Sequence, residues 1–466
     1  MRNYIVLFCI PLLVSCHVGE DYSSPKFLVE NDVKEALKLS DKSDNISANW
    51  YTIFKDNVLN TLLVNILNSN LSIKQAEERL IQARYTLEIQ SKSFLPTFDA
   101  LGEYQYQKSN SESLVAENIN HFKVGFDAVW EMDIWGKGAY ISEQYSALLD
   151  ETKYSLLNIK TTICAEAVRN YILLREAQEK LRIANKNLQL QKDILATIRN
   201  KHSVGIADDL ALNQAEYIIE TTKALIPNLR TNIEVNKNAL AVLLGIPSNK
   251  IPVDLDKYAK NIVADTFKYS VRNLYNLPLN IVQARPDIAA AEKNIQMQNA
   301  VVNQAITNLY PSISLDATFG YISFSGNKLF NTNKQVYGYN PQLSQPIWHW
   351  KQLVNNIDLQ KHSKEEYILI YNEALLTALS ELKNATISVE EAYEANKYKK
   401  NSFIKMQNIL KLTHEKYKNG LVNFTDVANA EKQLLSAQTD FISSNANILL
   451  SLTAFYKATG GGYNLK

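Results

Sequence analysis

The sequence consists of two copies of one plan, and this repeat restricts the possible folds more than any other feature. Landmark residues recur 215 positions apart along the 466-residue chain. The first set is Ile73, Ala76, Glu77, Pro96, Gly205, Ala215 and Glu216, and the second set is Ile288, Ala291, Glu292, Pro311, Gly420, Ala430 and Glu431. Seven matches at one spacing indicate two related halves, so both halves are expected to contain the same elements in the same order.

Long helices are predicted in both halves, because prolines and glycines are sparse there. Residues 139–204 contain neither glycine nor proline, and no proline follows Pro346. Apolar residues alternate by three and four positions in the first half, as in a heptad seam. The seam is Leu174, Ala177, Leu181, Ala184, Leu188, Gln191, Leu195 and Ile198, and the less apolar second copy is Val389, Ala392, Asn396, Lys399, Phe403, Met406, Leu410 and Thr413. A plain coiled-coil stalk would show this pattern equally well.

Four segments alternate apolar or aromatic residues with polar or small ones, which is typical of transmembrane β-strands. In residues 121–133, Phe122 and Phe126 fall on one face, and Lys123 and Asp127 fall on the other. The other three segments are residues 97–107, 312–321 and 337–347. Tryptophans at or just past the ends of the returning strands, Trp130, Trp135, Trp348 and Trp350, are typical of an interfacial girdle. The alternation therefore favours a membrane β-domain over a stalk alone.

Four strands cannot close a barrel by themselves. An open sheet edge in lipid leaves unpaired backbone groups, each costing several kcal/mol. Several copies of the chain must therefore share one barrel. Two, three or four copies would supply 8, 12 or 16 strands, and an interior of 8 strands is filled by side chains. Three or more copies are expected.

Residue types that carry catalysis are dispersed. The six histidines have no metal-ligand spacing, and no glycine-rich phosphate loop is present. They are His17, His121, His202, His349, His362 and His414. Lysine and arginine total 49 against 48 acidic residues, which argues against a nucleic-acid partner. Cys164 lies in an apolar helical pattern and is expected to be a small core residue. We predict no cofactor, no metal site and no enzymatic activity.

The first residues indicate export and lipid attachment. A charged start is followed by an apolar run over residues 4–14 and then by Ser15 and Cys16. Residues 13–16, LVSC, resemble the bacterial lipobox, so Cys16 is predicted to become the first mature residue and to carry fatty acids such as palmitate. An ordinary secretory peptide with a chance cysteine is the alternative. By the sorting pattern that this start resembles, His17 after the cysteine favours the outer membrane.

Motifs along nearly the whole mature chain resemble one family, the TolC-like outer-membrane factors, and in particular its lipid-anchored NodT/OprM-type branch. The motifs are CHVGEDYSSP at 16–25, WYTIF at 50–54, GFDAVWEMDIWG at 125–136, NALAVLLG at 238–245, RPDI at 285–288 and YKATGGG at 456–462. The RPDI motif and the terminal glycines are the most characteristic pair.

The resemblance implies a homotrimer with a 12-stranded β-barrel on a 12-helix α-barrel, lipid-anchored in the outer membrane with a large periplasmic part. It implies an outer-membrane channel subunit of a tripartite efflux system. Such a channel would passively conduct small molecules, drugs or metal ions, that arrive from an inner-membrane pump of the RND type through a periplasmic adaptor protein. A structural coiled-coil envelope lipoprotein without a pore is the alternative, because it needs the long helices but not the alternating strands.

The predicted organisation follows the repeat. Its segments are a signal peptide over 1–15, an N-terminal equatorial segment over 16–55, a helix over 56–95, a β-barrel hairpin over 96–135, a long helical hairpin over 136–246, an equatorial segment over 247–282, a helix over 283–309, a second β-barrel hairpin over 310–349, a second long helical hairpin over 350–459 and an equatorial tail over 460–466.

The two glycine turns between long helices are the candidate functional sites. Gly205 and Gly420 are suited to the left-handed conformation that ends a helix. Residues just past these turns are predicted to line a periplasmic gate, and they are Asp208, Asp209, Asp426 and Asn429. The alternative for each aspartate is a solvated charge that complements a helix N-terminus. The turns themselves, with Lys201 and Lys416, are the predicted contacts for the adaptor.

Overall fold

The structure is a computed structural model that describes residues 18–25, 49–107, 119–256 and 282–462. The predicted signal peptide 1–15, the lipidation site Cys16, most of the predicted equatorial segments 16–55 and 247–282, and residues 463–466 lie outside the described residues. The helices are α1 Asn57–Ser69, α2 Leu71–Gln90, α3 Lys137–Ser203, α4 Asp209–Leu244, α5 Pro286–Thr307, α6 Trp350–Lys418 and α7 Phe424–Ala458. The strands are β1 Thr97–Gln107, β2 Ile119–Met132, β3 Ser312–Ser323 and β4 Gln335–Ser344.

The order of elements confirms the predicted repeat. Each half has a helix, a strand hairpin, one very long helix, a turn and a further helix. The long helices α3 and α6 contain 67 and 69 residues. The chain divides into two compact units, of which the first holds the described residues of Met1–Lys26, Arg79–Lys153 and Ala290–Tyr371, and the second holds the other described residues.

The first unit contains a four-stranded antiparallel sheet in the order β1-β2-β3-β4. The strand predicted over 97–107 is observed with those bounds, and the other three differ from prediction by a few residues. The fourth strand ends at Ser344 and not at Ile347. Ser344 pairs with Ser312, and the ladder stops there because Pro311 and Pro346 lack the N–H that would extend it.

The register of the sheet sorts its side chains by face. Directly paired residues in an antiparallel sheet point to the same side. One row across all four strands is Ala100, Phe126, Phe319 and Tyr337, and the next is Phe98, Ala128, Ala317 and Tyr339. A row on the opposite face is Asp99, Asp127, Thr318 and Gly338. The alternation seen in single strands therefore adds up to one aromatic face and one polar face.

The second unit has a core around α1. Leu59, Leu62, Leu63 and Ile66 of this helix are fully buried. Trp50 lies in the same unit and stacks on Tyr456 with ring centroids 5.1 Å apart. Cys164 is buried as predicted, and burial raises the pKa of its thiol to about 12. The cysteine is therefore a packing residue rather than a reactive thiol.

The prediction of one helix over 56–95 is wrong, because the segment forms two helices that break at Asn70. The Asn70 side-chain oxygen accepts hydrogen bonds from the backbone N–H groups of Ser72 and Ile73, and its amide donates to the Leu243 carbonyl at 2.7 Å. Asn70 is only 4% exposed. It therefore caps the start of α2 and at the same time attaches this break to the end of α4.

Candidate functional site

The two glycine turns have the conformation that the sequence predicts. Gly205 has φ of 73° and Gly420 has φ of 71°, and a Cβ added at either position would meet no atom within 4 Å. After the first turn the Ile206 N–H donates to the Lys201 carbonyl at 2.8 Å, and after the second the Leu421 N–H donates to the Lys416 carbonyl at 2.9 Å. These bonds satisfy the last carbonyls of α3 and α6. Both long helices therefore end in the same way.

Two of the predicted gate residues cap helices. The Asp208 carboxylate accepts a hydrogen bond from the Ala211 N–H at 2.9 Å and caps α4. Asp426 forms a capping box with Asn423 at the start of α7. These contacts are the helix-terminus role that the sequence left open as the alternative, and they leave both aspartates exposed.

The other two predicted gate residues are not caps. Asp209 lies 2.8 Å from His202 Nε2, and its side chain is 88% exposed. Asn429 is exposed on α7. Both side chains are therefore accessible from solvent next to the turns.

The two turns pack against each other within the second unit. An apolar cluster joins α3, α4 and α7, and its buried members are Ile198, Ala211, Ala215, Ile218, Phe424, Val427 and Ala428. Gln214 and Thr425 exchange hydrogen bonds of 3.0 and 3.1 Å across the cluster. The Lys201 ammonium lies 5.1 Å from the centre of the Tyr417 ring. Burial, and to a lesser degree the Asp208 carboxylate, raise the pKa of Tyr417. The ends of the two helical hairpins thus form one packed group in each chain.

The strand ends in the first unit are held by tryptophans. The Trp130 indole donates to the Phe94 carbonyl at 3.1 Å, and the Trp135 indole donates to the Pro311 carbonyl at 2.7 Å. Trp348 is 96% exposed and Trp350 is 46% exposed. Trp130 and Trp135 therefore fasten the strand hairpins to neighbouring segments of the same chain. Trp348 and Trp350 remain exposed on the surface of the chain.

Two features are absent from the described part of the chain, namely a cluster of metal-ligand side chains and an apolar helix long enough to span a membrane. Among the described residues, no three His, Cys, Asp or Glu side chains come together as metal ligands would. None of the helices in the described ranges has the length and apolar character needed to cross a bilayer.

Two repeats of a strand hairpin followed by a long helical hairpin define the class of outer-membrane channel subunits. The chain belongs to the outer membrane efflux protein family, whose sequence profile matches residues 62–246 and 277–461. The two matched segments stand at the same offset as the landmark residues of the sequence repeat. The protein is accordingly an efflux channel component of the outer membrane.

Individual relatives resemble the chain over nearly its full length. Nodulation protein T of Rhizobium leguminosarum bv. viciae is 25% identical over 457 residues, covering 97% of this chain and 92% of the relative. The cation efflux system protein CusC of Escherichia coli O6:H1 is 24% identical over 459 residues, covering 98% of each protein. The solved structure of the outer-membrane channel OprN has a TM-score of 0.85 and 23% identity, covering 96% of this chain and 99% of that chain.

Proposed function

We propose that three copies of the chain form one channel, in which their sheets close a twelve-stranded barrel in the outer membrane. The observation that carries this proposal is the sorting of the sheet into an aromatic face and a polar face across four strands. Among the described residues, the outer edges of this sheet, on β1 and β4, pair with no further strand. A lipid-facing exterior and a watery lumen need these two faces.

The aromatic face of the sheet is not covered by any of the residues that the structure describes. Phe98, Phe126, Tyr337 and Tyr339 are 76%, 61%, 77% and 81% exposed. Transfer of a side chain of this size out of water contributes about 1.5–3 kcal/mol. The opposite face holds polar contacts such as the 2.6 Å hydrogen bond from Thr318 to Asp127. The aromatic face therefore fits contact with lipid, and the polar face fits contact with water.

Two requirements set the number of copies, namely that the edge strands of each sheet are paired and that the barrel keeps an open lumen. Backbone groups at the edges of β1 and β4 must be paired if the sheet lies in hydrocarbon. Eight strands from two copies would be filled by side chains, whereas twelve strands from three copies leave a passage. Three is the smallest number that both closes the sheet and conducts.

Attachment by a lipid at Cys16 fits the segment that follows it. The Glu20 N–H donates to the Asn303 side-chain oxygen at 3.1 Å, and the Asn303 amide donates to the Glu20 carbonyl at 2.9 Å. Both residues belong to the unit that contains the sheet. A lipid at Cys16 would therefore add a second membrane attachment to the same unit.

The channel serves as the exit of a tripartite system, with an inner-membrane pump of the RND type and a periplasmic adaptor. Relatives at 24% identity are named for different cargo, since one is a cation efflux protein and another is a toluene efflux pump component. The pump rather than the channel is accordingly expected to select among drugs and metal ions. For contact with the adaptor we propose the turns at Gly205 and Gly420. Lys416 is exposed there, whereas Lys201 is half-buried near Tyr417.

The gate is proposed at the same turns, lined by Asp208, Asp209, Asp426 and Asn429. Carboxylates repeated by symmetry around a pore attract cations and repel one another, which favours separation of the turns when the adaptor binds.

The gate hypothesis predicts the effect of removing charge without removing the helix caps. Asparagine still accepts the capping hydrogen bonds that Asp208 and Asp426 receive, so D208N/D209N/D426N isolates the electrostatic contribution. We expect severalfold lower cation-over-anion selectivity and lower resting conductance in planar lipid bilayers.

The matched control is D440N on α7, which removes an exposed carboxylate paired with Lys399 and is expected to leave both properties unchanged. Unaltered selectivity and conductance in the triple variant would exclude the three carboxylates as the charged part of the gate.

A further inference from the structure

An ion pair between two helices differs between the two repeats. In the first hairpin, the Arg199 guanidinium of α3 lies 2.7 Å from the Glu216 carboxylate of α4. The residues 215 positions further along the sequence are His414 of α6 and Glu431 of α7, and His414 Nε2 lies 3.7 Å from Glu431 Oε1. This separation exceeds hydrogen-bonding distance. The second repeat has therefore exchanged a permanent cation for a shorter side chain that does not reach the carboxylate.

The carboxylate of the second pair is also the more buried one. The Glu431 side chain is 10% exposed, against 44% for Glu216. Burial raises the pKa of Glu431 to about 7. Burial, together with the Lys418 charge, lowers the pKa of His414. Above pH 7 a buried carboxylate thus faces a neutral imidazole, a combination that lacks a compensating positive charge.

Space for such a charge lies beside the pair. A cavity of about 310 Å³ is lined by α3, α6 and α7, with Leu190 and Leu434 among its apolar residues. Gln191 also lines the cavity, is 6% exposed, and has a buried side-chain oxygen that accepts no hydrogen bond. A buried acceptor without a donor costs about 1–3 kcal/mol. The cavity therefore presents the unsatisfied Gln191 oxygen and the Glu431 carboxylate next to an apolar wall.

We propose that this cavity is a binding site for a small alkylguanidinium cation. The first repeat shows the chemistry that the position accepts, because a guanidinium occupies it there in the form of Arg199. A guanidinium carries five N–H donors, enough for the Glu431 carboxylate and the Gln191 oxygen together, and its alkyl group would lie against the leucines. A divalent metal fits less well, since the cavity lining has one imidazole and two carboxylates, of which Asp193 is exposed and accepts a hydrogen bond from Gln189. The site involves one chain only and does not depend on the proposed trimer.

The test uses n-butylguanidinium chloride and the purified full-length protein in detergent, at constant ionic strength. Isothermal titration calorimetry is expected to show one probe bound per chain at pH 8. Binding should weaken about tenfold at pH 6, because a carboxyl group with a pKa near 7 changes from about nine-tenths ionised to about nine-tenths protonated.

Three variants separate this site from surface binding. H414R places a built-in guanidinium next to Glu431, as in the first repeat, and is expected to abolish probe binding while the protein stays folded. E431Q removes the charge and is expected to abolish binding independently. E216Q is the matched control in the first repeat and should bind as the unsubstituted protein does. Absence of binding at pH 8, binding retained in H414R and E431Q, or an equal loss in E216Q would overturn the proposal.

Discussion

Replacing Gly125 with valine is expected to prevent formation of the sheet and to remove the protein from the outer membrane. Gly125 of β2 pairs with Gly320 of β3. A Cβ added at Gly125 would lie 2.5 Å from the Phe319 carbonyl oxygen, and one added at Gly320 would lie 2.5 Å from the Val124 carbonyl oxygen. Both obstacles are backbone atoms, so relief requires the strands to separate. The hydrogen bonds then lost join the two repeats, and each unpaired group in lipid costs several kcal/mol.

Gly338 provides the control on the same face of the sheet. Its added Cβ would meet only the Thr318 methyl group at 3.6 Å, an ordinary contact. The amount of detergent-resistant oligomer in outer-membrane fractions is expected to fall at least tenfold for G125V and to change little for G338V. Equal amounts for the two variants would show that close approach of β2 and β3 is not required.

The second large effect is expected at Arg285, which joins three helices of the second unit. Its guanidinium donates to the Asp287 carboxylate at 2.7 and 3.0 Å, to Glu381 at 2.9 Å and to the Ala458 carbonyl at 3.0 Å. The residue is 8% exposed. Arg285→Met keeps much of the volume but removes these bonds. We expect a loss of about 3 kcal/mol of stability, at the low end for a broken buried pair because both carboxylates retain access to solvent.

Thermal unfolding followed by far-ultraviolet circular dichroism measures this loss as a lower transition temperature. Glu381→Gln is the control, because the Glu381 side chain is 53% exposed and an exposed ion pair contributes about 0–1 kcal/mol. If the two variants unfold at the same temperature, the buried guanidinium does not contribute most of the stabilising contact between α5, α6 and α7.

The sequence predicts well those features that depend on local periodicity. The strand over Thr97–Gln107 and the left-handed glycines Gly205 and Gly420 agree with expectation, because alternation and turn chemistry depend on neighbouring residues. The repeat is equally visible, since the offset of the landmark residues is also that of the two family segments. The class of fold therefore follows from patterns within short stretches.

Contacts between distant parts of the chain could not be predicted in this way. The break at Asn70 interrupts no apolar pattern, and the residue is held by Leu243, which lies 173 positions away. Glu381 lies 96 positions from Arg285, and no pattern in either segment indicates the pairing. The capping box of Asp426 with Asn423 is by contrast a local contact, because an Asn three residues before an Asp is a recognisable helix start. The cavity beside Glu431 is formed by residues of three helices, α3, α6 and α7, and no local sequence pattern indicates that they meet.

The native mass of the detergent-extracted, lipid-modified protein tests the shared barrel most directly. Each chain contributes a sheet of four strands whose outer edges pair with no other strand in the part of the chain that the structure describes. Three copies per particle is the predicted result, and it would establish that these edges close one twelve-stranded barrel. A stable monomer would contradict it, because four strands cannot form a channel, and would favour an envelope lipoprotein without a pore.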